Sequence, residues 1–333
     1  MEFETKLAQY EQDGVLTPRQ GHILRQFYGS YLAAYREKGI ALTESPAVTM
    51  QFLDLIIKQI KTPYPFQAYH EKVTSPDNYL KFGLEMIRPL IDFNRSVLLG
   101  EENIAEIDAQ LKQGHNCILY ANHQTEPDPQ AIHLLLERTH PELATNILMV
   151  AGDRVISDPI AVPFSKGRNM LCIYSRKHMD HPPEKKADKL NHNRRALKAL
   201  VQQLTKGGVC VYIAPSGGRD RPNSQGVVEV APFERDAIDL FALMAQESKT
   251  PTHFYPLSLA TYRLLPPPKV VEKEIGEDRE FNYTPIGVAF GKEIDMTYGR
   301  DNPGLDKKAQ RQLRCDYIYA QVCDGYRQLL ARM

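Results

Sequence analysis

From about residue 79 onward the chain alternates between two pattern lengths. Short apolar runs recur at Cys117–Tyr120, Ile147–Val150, Met170–Tyr174, Val209–Ile213, Phe254–Leu259 and Ile286–Phe290, and longer helical stretches such as Lys185–Lys206 and Glu234–Gln246 lie between several of them. A short apolar run bounded by polar residues is the size of a strand covered on both faces, whereas a stretch near twenty residues is the size of a helix. Alternation of the two predicts an α/β layer structure, a mixed and largely parallel sheet flanked by helices. In such sheets functional side chains collect in the loops beyond the strand ends. The segments that follow the apolar runs are therefore where chemistry is expected.

Upstream the pattern is helical. Thr17 followed by Pro18 has the form of an N-cap with proline in the first turn, where a missing N–H costs no helical bond. Ile23, Leu24, Phe27, Tyr28, Tyr31, Leu32 and Tyr35 then fall on one stripe that Gly39 can close. Ser45 and Pro46 repeat the start signal, ahead of a second stripe through Phe52, Leu53, Ile56, Ile57 and Ile60. Lys61 to Asp77, rich in proline and polar residues, has the composition of a connection. The expected organisation is a helical bundle over residues 1–72 and an α/β domain over 73–333.

Composition excludes several classes. Basic and acidic residues balance at 41 each, so no overall field draws the chain to nucleic acid or to a membrane surface, and an anionic ligand needs a local cluster. No run approaches the roughly 20 apolar residues that span a bilayer, and the first residues, Met-Glu-Phe-Glu-Thr-Lys, lack the layout of a signal peptide. The five cysteines form no CxxC pair, and Cys117, Cys172 and Cys210 fall within apolar runs. They are expected to be buried and reduced, in keeping with a cytoplasmic setting.

After the first strong run comes Ala-Asn-His-Gln-Thr-Glu-Pro-Asp-Pro, residues 121–129, which holds His123 and Asp128 in one polar turn. Such a pair suits general-base chemistry: the imidazole takes a proton from a hydroxyl while the carboxylate fixes its tautomer and steadies the imidazolium. The same residues would equally serve as a turn and a helix cap near Pro129. A metal reading through His123, Glu126 and Asp128 lacks a second histidine at ligand spacing.

Two later strand ends carry cations. Lys177 and His178 follow the run ending at Tyr174, and Ser-Gly-Gly-Arg-Asp-Arg-Pro presents Arg219 and Arg221 around Asp220. Guanidinium forks match phosphate oxygens and lysine adds a point charge. If the strands are neighbours, the four cations share a rim with His123; taken singly, each segment also reads as a solvated loop. No GxSxG elbow, Walker A or GxGxxG occurs, so neither a serine acyl-enzyme of the hydrolase type nor a nucleotide cofactor is indicated. The remaining chemistry is direct attack on an already activated acyl donor.

Asn122-His-Gln-Thr-Glu-Pro-Asp-Pro, Pro163-Phe-Ser-Lys-Gly-Arg-Asn, Ser175-Arg-Lys-His-Met, Ala214-Pro-Ser-Gly-Gly-Arg-Asp-Arg-Pro and the block from Pro266 to Glu277 together resemble the soluble, chloroplast-type glycerol-3-phosphate 1-O-acyltransferases. The likeness runs over nearly the whole chain, with the blocks in the family's order. It implies a helical bundle packed on an α/β domain. It also implies His123 and Asp128 as the catalytic pair, and Lys177, His178, Arg219 and Arg221 as the site for the phosphate of glycerol 3-phosphate. The implied donor is a thioester of acyl-carrier protein or of coenzyme A, the former favoured, with no cofactor and with the product delivered to a membrane. Proline stands at 127 where the plastid pattern usually has alanine, which predicts a stiffer turn. Ala-Pro-Ser-Gly in place of the Phe-Pro-Glu-Gly block of membrane-bound relatives places the chain in the soluble branch. It would be a bacterial cytoplasmic relative or a mature stromal form. An oxyanion donor is sought among the backbone N–H groups of the His123 turn. The helical segment, or its junction with the α/β domain, is expected to help hold the acyl donor. Two alternatives stand beside this reading: a 1-acylglycerol-3-phosphate acyltransferase, and a phospholipid- or carrier-binding protein without turnover.

Overall fold

The computed structural model describes residues 2–40, 46–174, 179–268, 279–300, 302 and 304–333. The strands are β1 (Tyr69–His70), β2 (Val97–Leu99), β3 (Asn116–Ala121), β4 (Leu148–Ala151), β5 (Asn169–Cys172), β6 (Cys210–Ile213), β7 (Arg221–Pro222), β8 (Val228–Glu229), β9 (Thr252–Ala260) and β10 (Gly287–Phe290). The helices are α1 (Glu2–Gln12), α2 (Pro18–Glu37), α3 (Ala47–Lys61), α4 (Tyr79–Ile87), α5 (Glu101–Lys112), α6 (Asp128–Leu136), α7 (Pro141–Asn146), α8 (Arg154–Ser157), α9 (Val162–Lys166), α10 (Lys186–Lys206), α11 (Arg235–Ser248) and α12 (Lys307–Leu330).

Among the described residues the main sheet has eight strands in the order β1-β5-β4-β6-β3-β9-β10-β2. The five from β5 to β9 run parallel; β1 and β10 pair antiparallel at their flanks, and β2 lies parallel to β10. This is the mixed, largely parallel sheet that the alternating pattern predicts. All six residues of β3 are buried, because the strand sits centrally and is covered on both faces. Successive side chains alternate in direction. Ile118 and Tyr120 thus join Leu200, Phe241 and Val322 on one face, while Cys117 and Leu119 join Ile107 and Ile132 on the other. Each such apolar side chain contributes roughly 1.5–3 kcal/mol on burial.

In the helical segment Thr17 caps α2 by accepting from the Gln20 N–H at 3.2 Å, and its own N–H donates to Gln20 Oε1 at 2.9 Å. Pro18 opens the helix and Gly39, at φ +83°, follows its end. The second start signal differs by a residue: α3 begins at Ala47 with Pro46 in the cap position, and Ser45 lies outside the described residues. The stripes of α2 and α3 do not face only one another. They share one apolar cluster with α4, Leu264, Phe281 and Ile286. Phe27 packs on Phe52 at 4.8 Å and on the edge of Phe281 at 4.9 Å, and the Tyr31 hydroxyl donates to Met86 O at 3.0 Å. The connection at 61–77 also contributes β1, the edge partner of β5; two residues are too few to leave a periodic signature.

Candidate active site

His123 lies just past the C-terminal end of β3, between two buried amides that hold the turn to the neighbouring strand. Asn122 donates through Nδ2 to Leu259 O at 3.0 Å and accepts the Leu259 N–H at 2.7 Å. Gln124 Oε1 accepts the N–H groups of Thr261 at 2.7 Å and Tyr262 at 2.9 Å. Side chains 122 and 124 thus finish the β3–β9 pairing where its backbone ladder stops. His123 between them is left partly exposed, at 31% of its side-chain surface.

Asp128 is 1% exposed. Its Oδ2 lies 2.8 Å from His123 Nδ1 and accepts the N–H groups of Gln124 at 2.8 Å and Thr125 at 3.2 Å; its Oδ1 accepts the Thr261 hydroxyl at 2.5 Å. With donors on every side the carboxylate is the acceptor in each contact. That makes Nδ1 of His123 the protonated nitrogen and leaves the Nε2 lone pair for incoming chemistry. Asp128 is itself the first residue of α6 rather than a cap ahead of a helix at Pro129. The N–H groups of Gln124 and Thr125 are spent on Asp128, so neither is the oxyanion donor sought in this turn.

The loop after β6 closes over the same turn. Asp220 is fully buried; its N–H donates to His123 O at 2.6 Å, its Oδ2 accepts Asn122 Nδ2 at 2.8 Å and Gln124 Nε2 at 3.1 Å, and its Oδ1 accepts the Ala231 N–H at 2.9 Å. Burial pushes this carboxyl above its usual range against those hydrogen bonds, and the nearby Asp128 adds to the rise. With Asp220 turned inward, Arg219 and Arg221 are set on either side of it. Arg219 Nη1 lies 3.7 Å from Glu126 Oε1, and Arg221 Nη1 donates to Pro268 O at 2.9 Å.

Glu126 has a nearer partner in Arg279, which is 4% exposed. Arg279 grips it with Nε at 2.7 Å and Nη2 at 3.0 Å, and Nη2 also reaches Asp158 Oδ2 at 2.6 Å. Burial alone would raise the Glu126 carboxyl; Arg279, then Arg219, outweigh it and pull it down to about 2. Glu126 is thus committed to arginines rather than aligned with His123 and Asp128 as a metal ligand would be. Beside it opens a small, mostly apolar pocket, partly open to solvent, whose walls include Phe27, Ile87, Pro127, Ile160, Phe164 and Phe281. It lies where the helical segment meets the α/β layers.

The structure therefore brings together His123, Asp128 and Arg219, with Arg221 on the same loop. Lys177 and His178 lie outside the described residues. Strands β3 and β6 are neighbours, as a shared rim requires, whereas β5 stands two places from β6 with β4 between them. Asn122, Gln124, Thr261 and Arg279 were not singled out from the sequence, and Asp220 only as the carboxylate between two arginines. Asn122, Gln124 and Asp220 lie inside its motifs, and a polar residue inside a motif at the end of a buried run was the available signal. No helix of the described residues is long and apolar enough to cross a membrane.

Residues 99–260 match the family model described as Acyltransferase. The chain is 40% identical over 309 residues to the chloroplastic glycerol-3-phosphate acyltransferase of Arabidopsis thaliana, covering 91% of this chain and 66% of that protein. It is 40% identical over 314 residues to one from Cucurbita moschata, covering 92% and 68%. To the chloroplastic glycerol-3-phosphate acyltransferase of Spinacia oleracea it is 37% identical over 336 residues, covering 99% and 70%. The chain thus spans about two thirds of the length of these relatives.

Proposed function

The chain belongs to the family of the chloroplastic glycerol-3-phosphate acyltransferases, and on that footing we propose that it transfers a fatty acyl group from a thioester to the sn-1 hydroxyl of glycerol 3-phosphate. The observation that carries the reading is the 2.8 Å contact of His123 Nδ1 with buried Asp128, on the same rim as Arg219. His123 Nε2 removes the hydroxyl proton as the oxygen attacks the thioester carbonyl. The new C–O bond forms, the tetrahedral species collapses with cleavage of the C–S bond, and the thiol leaves with the proton from Nε2. Asp128 holds the imidazole and balances its transient charge, a role that with the base typically supplies 10²–10⁴-fold. Arg219 and Arg221, with Lys177 and His178, hold the phosphate. Fixing the phosphate fixes the distance from the sn-1 oxygen to His123, making the attack effectively intramolecular.

The donor is a thioester of acyl-carrier protein or coenzyme A, and its acyl chain occupies the apolar pocket beside Glu126 and Pro127. The product, lysophosphatidate, passes from the stroma or cytoplasm to a membrane. The test is transfer from both donors to labelled glycerol 3-phosphate, with His123→Ala, Arg219→Ala and Arg221→Ala beside the wild type. His123→Ala should abolish turnover. The arginine variants should raise the KM for glycerol 3-phosphate by about one to two orders of magnitude, in line with losing a charge-assisted hydrogen bond. A rise in the KM for the acyl donor instead would make the loop a carrier-docking patch and sink the acceptor assignment.

A further inference from the structure

Glu126 raises a problem for any anion that Arg219 is to hold. It is a carboxylate on the catalytic turn, three residues after His123, and Arg219 Nη1 sits 3.7 Å from its Oε1. A glutamate so placed competes with a ligand's phosphate for the same guanidinium. The distances show which arginine has won it. Arg279 makes contacts at 2.7 and 3.0 Å, the paired geometry that guanidinium and carboxylate favour, while Arg219 Nη1 approaches only to 3.7 Å. Arg279 is in turn anchored by Asp158 at 2.6 Å, and Asp158 is fixed through Oδ1 by the Ile160 N–H at 2.9 Å. Among the described residues Arg279 thus ties Glu126 to Asp158, and the closer pairing of Glu126 is withheld from Arg219.

We infer that Arg279 is a positioning residue for acceptor binding: by gripping Glu126 it keeps that carboxylate from closing on Arg219, so that Arg219 can turn to the phosphate of the substrate. This rests on the reading that Arg219 binds that phosphate. With Arg279 in place Glu126 is charged, since Arg279 and then Arg219 hold it well below the usual carboxylate range against its burial. It is therefore a standing competitor and has to be held by a second cation. When phosphate engages Arg219, Arg279 leaves Glu126 paired and no buried charge is stranded. Without Arg279, Glu126 closes on Arg219 and occupies the acceptor site from within.

Steady-state kinetics of the full chain, with glycerol 3-phosphate and acyl donor varied in turn and inorganic phosphate as competitor, separate this from simple structural damage. Arg279→Gln should raise the KM for glycerol 3-phosphate and the inhibition constant of phosphate by about tenfold, the scale of one charge-assisted hydrogen bond. The KM for the donor should stay within about threefold. Glu126→Gln should leave acceptor binding nearly unchanged, and adding it to Arg279→Gln should restore the acceptor KM, since the competitor is then neutral. Arg279→Lys should fall between. The inference is overturned if Arg279→Gln leaves the acceptor KM unchanged, or if the double variant is no better than the single. Should Arg279→Gln fail to fold, the double variant is compared with Glu126→Gln alone. Equal acceptor KM values support the mechanism, and a further rise in the double variant refutes it. Arg219→Ala in the same assay keeps the two readings apart. If it leaves both phosphate and glycerol 3-phosphate binding intact, the acceptor assignment itself is wrong. If it weakens both and the rescue fails, only the role of Arg279 is lost.

Discussion

Replacing Asp128 by asparagine removes a charge from the site while leaving almost every hydrogen bond in place, and the environment dictates how the amide must sit. Three donors converge on Oδ2, from His123 Nδ1 and the N–H groups of Gln124 and Thr125, whereas Oδ1 meets a single hydroxyl, Thr261 Oγ1. An amide turned with its NH2 toward His123 would face two backbone N–H groups donor to donor. The stable rotamer therefore puts the amide oxygen at the Oδ2 position and the NH2 against Thr261, whose hydroxyl can accept instead of donate. Nδ1 of His123 keeps its acceptor, and the imidazole keeps its orientation and tautomer. Only the stabilisation of the imidazolium is lost. Three bonds to a charged oxygen become bonds to a neutral one, about 1 kcal/mol each, partly offset because no charge is buried. The fold should lose no more than about 2–3 kcal/mol. The rate should fall by about 10²–10³-fold, or roughly 2.7–4 kcal/mol of barrier. Thermal unfolding and turnover at saturating substrates measure the two effects separately, with Thr261→Val, which removes one neighbour of Asp128, as a control expected to change the rate far less. Retention of more than about a tenth of wild-type turnover by a folded Asp128→Asn protein would falsify the charge-balancing role. Unfolding at ordinary temperature would make Asp128 chiefly a pin for the turn.

Asp220→Ala should raise the KM for glycerol 3-phosphate and lower turnover together, because the lost carboxylate ties the arginine loop to both Asn122 and Gln124; a change confined to stability would contradict this. His133 is held neutral, pushed down to about 4 by burial and then by Arg168, against 6.5 in an unfolded chain. Its contribution is therefore complete above pH 6.5 and lost as pH falls toward 4, on the order of 2 kcal/mol. Denaturant titrations of His133→Gln should show a flatter fall across that window, and an unchanged slope would refute it. Gly100 adopts φ +81°, and a Cβ there would lie 2.0 Å from Phe290 O. Gly100→Ala should cost at least about 2 kcal/mol, which equilibrium unfolding would detect; a neutral outcome would mean that β10 can move away.

The parts of the site legible in the sequence were those that a short segment determines alone. His123 and Asp128 meet within one turn, so their spacing was sufficient. The long apolar runs became β3, β6 and β9 because four or more buried residues leave a clear signal, while β1, only two residues long, left none. Asp220 and Thr261 could not be placed because their importance depends on β6 and β9 lying on either side of β3, a matter of sheet order rather than of sequence distance. Arg279 pairs with a residue 153 positions away, and nothing local marks it. Arg219 and Arg221 were read as equivalent from their alternate spacing. The buried carboxylate between them gives them different surroundings, Glu126 for one and the Pro268 carbonyl for the other.

The apolar cluster that unites α2 and α3 with Phe281 and Leu264 bears on how such a protein can be recombined. Phe27 rests its ring on Phe281, more than 250 positions away, and the Ser30 hydroxyl accepts the Phe281 N–H at 3.0 Å. A hybrid that borrows only the first 72 residues from a relative would set foreign side chains against a native Phe281 and Leu264. Losses at that seam would be mistaken for a change in substrate preference. The heritable module is discontinuous, an N-terminal stretch together with a short segment far downstream, and exchange experiments or directed shuffling should cut along that boundary.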